Sequence, residues 1–342
     1  MSSISIAMAT YNGGRFIGEQ LESLAAQTVK PAELVITDDS STDNTLEVVR
    51  AFAAKAPFPV RIEKNEDRLG YRGNFMRAAN LCNSDIIAFC DQDDVWRPHK
   101  LEKMLKLLEQ PDVLLAFHDA LAVTQSLEVL SPLGIQSAPS HLNPHQTISP
   151  WWYGLGFTLV FKRSLLDYTQ FWPLSADFFK PQEREAHDQW FYFLASCLGS
   201  ITYDDEPLVF YRQHTTNTEG WKPSGGALNR LKKMWSVDTL SLLRERGTGA
   251  GHRAVVMEKI SQASSGPTAE RASSAAKGYS KLAEGYTRRE AIYTGPTLGV
   301  RLKAFGTAHD IGAYQRPWAW GVGGKEGLRD LIRGVLFPRK SA

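Results

Sequence analysis

Four strand-length runs recur through roughly the first ninety residues, each separated from the next by a segment patterned for helix. The runs are residues 4–9, 33–37, 60–63 and 85–90. Between the first two, Phe16, Ile17, Leu21 and Leu24 are spaced for one helical face, and Pro31 stops that helix. A second helix is expected over Thr45–Ala54 and a third after Gly70. Regular alternation of this kind argues an α/β fold: a mostly parallel, twisted sheet with helices on both faces. Polar clusters close the first, second and fourth runs: Thr10–Gly14, Asp38–Asp43 and Asp91–Asp94. They therefore fall on one rim, where open α/β sheets bind ligands.

The third cluster is the most demanding. Asp91, Asp93 and Asp94 place three carboxylates within four residues, directly after the apolar run that ends at Cys90. Crowded like charges are unfavourable unless something positive binds. Hard oxygen ligands suit a divalent ion, Mg²⁺ or Mn²⁺, and Mg²⁺ is usually shared between one or two carboxylates and the phosphates of a substrate. The plainer reading is an acidic turn leading into the helix Pro98–Leu108, and these residues alone leave both open.

Composition removes other classes. A net charge of +2 makes no case for nucleic acid. Cys82, Cys90 and Cys197 lie in apolar or helical contexts without CxxC spacing. They read as reduced core residues, which fits a cytoplasmic protein and disfavours a zinc site. Residues 4–8 are too short a run for a secretory core, and no stretch approaches the ~20 apolar residues of a membrane span.

Beyond Leu108 the pattern loosens. A strand is expected over Val113–Phe117, leaving His118 and Asp119 in the loop after it, on the acceptor side. Ser131–Pro150 reads as a long loop, and Trp151–Phe161 as a short strand or turn lining a pocket. A helix is expected over Glu185–Cys197 and a strand over Leu208–His214. We place a domain boundary near residue 220, with a basic, mainly helical region over 221–342. Its amphipathic pieces, Arg230–Trp235 and Arg329–Arg339, suit a membrane surface, a helical cap over the site or a homodimer face. Residues 261–280 are rich in Ser, Ala and Gly yet able to form helix.

Five segments, taken in order, resemble the family-two glycosyltransferases: Ser5–Asn12, Ile36–Asp43, Asp85–Trp96, His187–Trp190 and Tyr211–His214. The likeness covers roughly residues 1–220 and looks closest to bacterial rhamnosyltransferase-like members. It implies the nucleotide-binding, Rossmann-like GT-A fold and an inverting, metal-dependent sugar transfer. The donor would be a dTDP- or UDP-linked sugar, with dTDP-rhamnose one choice. The acceptor would be a glycan, lipid-linked, in surface polysaccharide or O-antigen synthesis, at the inner face of the cytoplasmic membrane.

The resemblance also distributes roles. Thr10, Tyr11 and Asn12 would hold the nucleotide, and Asp39 would read the imide N–H of the base, leaving Asp38 a structural part and Asp43 a cap for the next helix. Arg68 and Arg72, flanking Gly70, would approach the diphosphate or base, with Asn74 near the nucleotide sugar and Arg212 on phosphate. Asp93 would bind the metal directly, Asp91 the ribose or the metal through water, and His214 would complete the metal shell. Asp188 would be the catalytic base; its plainer reading is a first-turn acid favoured by the helix dipole. Asp94 would orient Arg97 or the acceptor. Trp152 and Trp190 suit stacking on sugar or core packing equally.

Two rivals stand beside this reading. A nucleotidyltransferase would also use clustered carboxylates, but it calls for a Gly-rich phosphate loop that Thr10–Arg15 only faintly matches. A non-catalytic sugar-nucleotide-binding protein would tolerate loss of Asp93 or Asp188, and both are present.

Overall fold

The computed structural model describes residues 3–135, 141–215, 238–315 and 321–336. The basic stretch Arg230–Trp235, the boundary near 220 and the end of the tail at Arg339 lie outside these residues. Contacts divide the chain into two compact units. The first comprises Met1–His145, Trp152–Thr169 and Ala186–Lys222; the second comprises Gln146–Trp151, Gln170–Glu185 and Pro223–Ala342.

The first unit is built on a ten-stranded mixed sheet. Its strands are β1 (Ile4–Thr10), β2 (Glu33–Asp38), β3 (Val60–Lys64), β4 (Ile86–Cys90), β5 (Val95–Trp96), β6 (Val113–Val123), β7 (Val129–Pro132), β8 (Leu142–Asn143), β9 (Val160–Lys162) and β10 (Ser200–Arg212). The order is β3-β2-β1-β4-β9-β6-β10-β5, with β7 on β6 and β8 on β10. β1 through β4 pair in parallel, as their alternation with helices requires. β9 enters antiparallel between β4 and β6, and β5 runs antiparallel to β10. Every residue of β1 and β4 is buried, which is why both read as mainly apolar runs, whereas edge strand β3 is half-exposed.

Helices α1 (Ile17–Ala25), α2 (Thr45–Ala53), α3 (Gly70–Asn80), α4 (Lys100–Leu108) and α5 (His187–Leu198) belong to this unit and flank both sides of the sheet. Ile6, Met8, Leu21, Leu34, Ile36, Ala88 and Leu101 share one core.

Register places the rim. Thr10 pairs with Asp38, and Cys90 pairs with Met8, so β1, β2 and β4 release their polar loops at nearly one level. Phe210 pairs with Val95, and antiparallel continuation carries residues 212–214 back toward Asp93. One expectation fails here. β6 continues to Val123, so His118 and Asp119 are buried within a strand rather than on an acceptor loop. The β6–β10 pairing, which runs past both residues, outlasts the apolar run that marks the strand in sequence.

The second unit carries the helices Thr239–Ala263, Gly266–Thr294, Leu298–Asp310 and Gly324–Arg329. The weakly patterned 261–280 stretch is helical apart from a break at Ser264–Ser265, and Ala272, Ala275, Ala276 and Gly278 are buried, as small residues on a close-packed face are. Arg289 pairs with buried Asp330, which also accepts from the Tyr293 and Tyr314 hydroxyls. That closes a fully bonded polar network. No helix of the described residues is long and apolar enough to cross a membrane.

Candidate active site

The β1 and β2 loops are tied into one surface. Asp38 is buried and accepts from Thr10 Oγ1 at 2.9 Å and from the Ser41 backbone at 2.9 Å, the structural part expected of it. The Thr10 hydroxyl is thereby taken up by Asp38 and braces the loop from within. Asn12, at φ 48, accepts from the Thr42 N–H at 2.9 Å and donates its own N–H to Ser41 Oγ. Asp43 accepts from the backbone N–H of Gly14 and of Thr45. Burial would raise its pKa, but these bonds and the Thr45 hydroxyl hold it below the ordinary value. The capping position itself falls to Asn44.

Tyr11 stays exposed, with the Arg68 guanidinium 3.9 Å over its ring. That stack makes a planar, positively charged ledge on the rim, suited to a base or a phosphate. Asp39 is 2% exposed, and its carboxylate accepts from Asn65 Nδ2, the Leu69 N–H and the Gly70 N–H at 2.7–2.9 Å. It latches the start of α3, where Gly70 sits at φ +65, a conformation glycine adopts without strain. An ionised carboxylate has about four lone-pair positions, and these bonds take three of them. Arg72 lies in the first turn of that latched helix, its guanidinium 5.3 Å from the Tyr71 ring centre. Asn74, expected near the nucleotide sugar, is 2% exposed. Its amide donates to the Thr10 and Thr37 carbonyls and accepts from Asn65, bracing β1, β2 and α3 from within. Asn65, unmarked in the sequence, is the hub of this network.

The acidic cluster follows directly on β4. Oxygens of Asp91, Asp93 and Asp94 come within 4.8 Å of one another. Burial first, then the charges of Asp93 and Asp188, push the Asp91 carboxyl up to about 8. Asp94 is fully buried and is also raised well above its ordinary value, by burial and then by Asp93 and Asp91. One Asp94 oxygen accepts from the Arg212 N–H at 3.1 Å; the other has no hydrogen-bond partner among the described residues. His214 Nε2 sits 2.8 Å from Asp93 Oδ2, its ring stacked on Phe16. Three crowded carboxylates, a buried oxygen lacking a partner among the described residues and an adjoining imidazole are a donor set that fits a hard or borderline divalent ion.

Several expectations change here. Asp94 faces inward, so it does not orient Arg97 or meet an acceptor. Arg212 is 1% exposed and spends its guanidinium on Glu19, the Asp93 carbonyl and the Gln125 carbonyl; it builds the cluster's wall and leaves phosphate to other groups. Lys100 was not marked by sequence. It is fully buried, donates to the Phe157 carbonyl at 2.6 Å and lies 3.4 Å from the Trp96 ring centre. Burial pulls its pKa down to about 7, against the nearby charges of Cys90, Asp94 and Asp91. The Lys100 amine thus lies close enough to the cluster for Asp94 and Asp91 to act on it.

Asp188 occupies the first turn of α5 and accepts from the Gln189 N–H at 2.8 Å. Its charge is among those that raise Asp91, so the separate carboxylate and the acidic cluster share one electrostatic environment. The preceding His187 is buried against Phe75 and Phe89, and neither ring nitrogen has a hydrogen-bond partner among the described residues. Burial, then Arg72, pulls its pKa down to about 3, which keeps the ring neutral. Trp190 is 0% exposed and packs on Phe193. It offers no open ring face, so it is a core residue and not a sugar platform. Trp152 remains half-buried.

The sequence model of the family described as Glycosyl transferase family 2 matches residues 5–165. The dTDP-rhamnosyl transferase RfbG of Shigella flexneri is 31% identical over 222 residues, 62% of this chain and 73% of that protein. An uncharacterized glycosyltransferase of Nostoc sp. is 26% identical over 220 residues, 63% of this chain and 66% of that protein, just short of two thirds of its length. Among solved structures, S. aureus TarS 1–349 in complex with UDP-GlcNAc aligns at a TM-score of 0.51 and 16% identity, covering 90% of this chain and 81% of that one. At that identity the likeness bears on the fold.

Proposed function

Because this chain belongs to glycosyl transferase family 2, and is a glycosyltransferase with the GT-A fold, we propose that it moves a sugar from a nucleoside-diphosphate donor to a glycan hydroxyl with inversion. The observation that carries this is the relation between Asp188 and the acidic cluster: the Asp188 charge reaches Asp91, yet Asp188 stands on its own helix. One group can therefore serve the acceptor while the others serve the departing nucleotide.

In this reading the Tyr11–Arg68 ledge, Asn12 and the remaining lone pair of Asp39 bind and orient the nucleotide, with Arg72 on the phosphate side. Asp93 and His214, with Asp91 beside them, would hold a divalent ion, Mn²⁺ or Mg²⁺. When bound, that ion neutralises charge developing on the diphosphate. Asp188 takes the proton of the acceptor hydroxyl as its oxygen attacks the anomeric carbon from the face opposite the diphosphate. The new carbon–oxygen bond forms as the bond to the phosphate oxygen breaks, and the nucleoside diphosphate leaves with the electron pair. Asp94 and Lys100 keep the cluster in place.

RfbG supports a dTDP-linked donor and rhamnose as the sugar, and TarS supports a uridine nucleotide as the second choice. A lipid-linked glycan on the inner face of the cytoplasmic membrane is the acceptor we favour. Exposed Leu298, Leu302, Leu328 and Leu336 among Arg301, Lys303, Lys325 and Arg333 support peripheral membrane contact. The test is hydrolysis of a panel of nucleotide sugars with and without MnCl₂. Metal-dependent release of one nucleoside diphosphate, abolished by Asp93→Ala, is expected. Release that ignores both metal and Asp93 would reject the reading.

A further inference from the structure

His187 opens α5 and immediately precedes Asp188. It is 5% exposed, and its ring stacks on Phe75 of α3 with centroids 4.0 Å apart and planes 18° from parallel. Phe89 of β4 meets it edge-on at 4.7 Å, and Phe75 meets Phe89 in the same way at 5.5 Å. On another side the backbone of Gly156 comes so close that a Cβ there would fall 2.5 Å from His187 Nε2. All four residues belong to the first unit.

Filling space does not by itself call for a histidine here. Neither ring nitrogen has a hydrogen-bond partner among the described residues, and burying unpaired polar atoms carries a cost that a hydrocarbon side chain avoids. What imidazole supplies is shape: a flat aromatic ring smaller than phenyl, seated between Phe75 and the Gly156 backbone. Gly156 is not at positive φ, so its missing side chain answers to this ring rather than to the backbone. Capping does not fix the start of α5, because the N-cap is Ala186 and no side-chain cap bond is made.

The two rings around His187 come from elements that end at the site. Phe75 is on α3, whose start Asp39 latches through the Leu69 and Gly70 N–H groups. Phe89 stands two residues ahead of Asp91. We propose that His187 is a positioning residue for the transfer reaction: wedged between α3 and β4, its ring fixes the first turn of α5, and hence the Asp188 carboxylate, relative to the Asp39 latch and the acidic cluster. This rests on Asp188 being the base. Gly156 is part of the device, since only its lack of a side chain leaves the ring its seat.

The test uses the full chain with His187→Ala, Gly156→Ala and the double variant, beside Asp188→Asn. Binding of dTDP and UDP in MnCl₂, melting temperature, and kcat and KM for dTDP-rhamnose and UDP-GlcNAc hydrolysis are measured on each. His187→Ala should lower kcat by about tenfold or more with nucleotide affinity and donor KM within about twofold, as when a reacting group is misplaced without being removed. Gly156→Ala should push the ring aside and lower kcat by about threefold or more, again at unchanged affinity. In the double variant the added methyl has no ring to displace, so Gly156→Ala should cost less than about twofold on top of His187→Ala. Wild-type kcat in either single variant, or two losses that multiply, would overturn the proposal. So would a kcat loss that only tracks the folded fraction or matches a loss of nucleotide affinity. Where one single variant does not fold, kcat of the other decides on the same criteria, and His187→Leu stands in if neither folds. Full turnover by Asp188→Asn would instead remove the base reading itself. Loss in Asp188→Asn, with wild-type kcat in His187→Ala and Gly156→Ala, would remove only the role of His187.

Discussion

The side-chain amide of Gln92 pairs with both backbone groups of Tyr11: Oε1 accepts from the Tyr11 N–H at 2.9 Å, and Nε2 donates to the Tyr11 carbonyl at 3.0 Å. The middle residue of the acidic motif thus fixes the loop that carries the Arg68 stack. It also explains Gly13, where a Cβ would fall 2.2 Å from Gln92 Oε1. Two such bonds contribute about 0.5–1.5 kcal/mol each. Gln92→Ala is therefore expected to weaken dTDP and UDP binding roughly tenfold, by calorimetry, with a smaller change in kcat. Unchanged affinity would show that the ledge does not hold the nucleotide.

His214 Nε2 meets Asp93 Oδ2 at 2.8 Å. Imidazole favours Mn²⁺ over Mg²⁺, whereas carboxylates serve both. Removing it in His214→Ala should shrink the thermal stabilisation given by MnCl₂ with dTDP and bring it close to that given by MgCl₂. A variant that keeps the full manganese preference would place His214 outside the metal shell.

The acidic cluster makes metal-free stability depend on pH. Asp91 has its folded pKa raised from 3.8 to about 8. The stability associated with its protonated form is fully present below about 3.8 and is lost as pH rises through about 8. Without metal, the melting temperature should fall across this window, other groups held equal. Added MnCl₂ should raise it more at pH 8 than at pH 5. Comparing wild type with Asp91→Asn isolates the contribution, since the amide cannot ionise and should flatten the slope.

Trp190 lies wholly inside the core beside Phe193. Trp190→Ala should cost about 3–5 kcal/mol by urea unfolding. The donor KM of the remaining folded protein should not change. A selective rise in donor KM without destabilisation would return Trp190 to the sugar site.

The fold was largely legible because β1, β2 and β4 are buried runs that end in polar loops, a pattern that reads directly from residue type. Less legible was what each polar residue does once the chain closes. Thr10, Asn74 and Arg212 carry the right chemistry for a ligand, but nearby backbone and side-chain groups claim them. Such claims come from register: Asn74 meets the Thr37 carbonyl across 37 positions. Lys100 opens a helix rich in lysine and reads as solvated, yet the Phe157 carbonyl and the Trp96 ring enclose it. The Glu185–Arg253 pair joins residues far apart in sequence, in segments with no motif. His118 was misplaced because apolar patterning stops before the β6–β10 pairing does.

The central claim is a division of labour between the Asp188 carboxylate and the Asp91–Asp93 cluster, and Asp188→Asn tests it most directly. Nucleotide affinity in MnCl₂ and single-turnover sugar transfer should be measured on the same preparation. We predict affinity within twofold of wild type and a transfer rate lower by about 10²–10⁴, the range for removing a placed general base. Transfer at the wild-type rate, or affinity lost in step with it, would contradict the account.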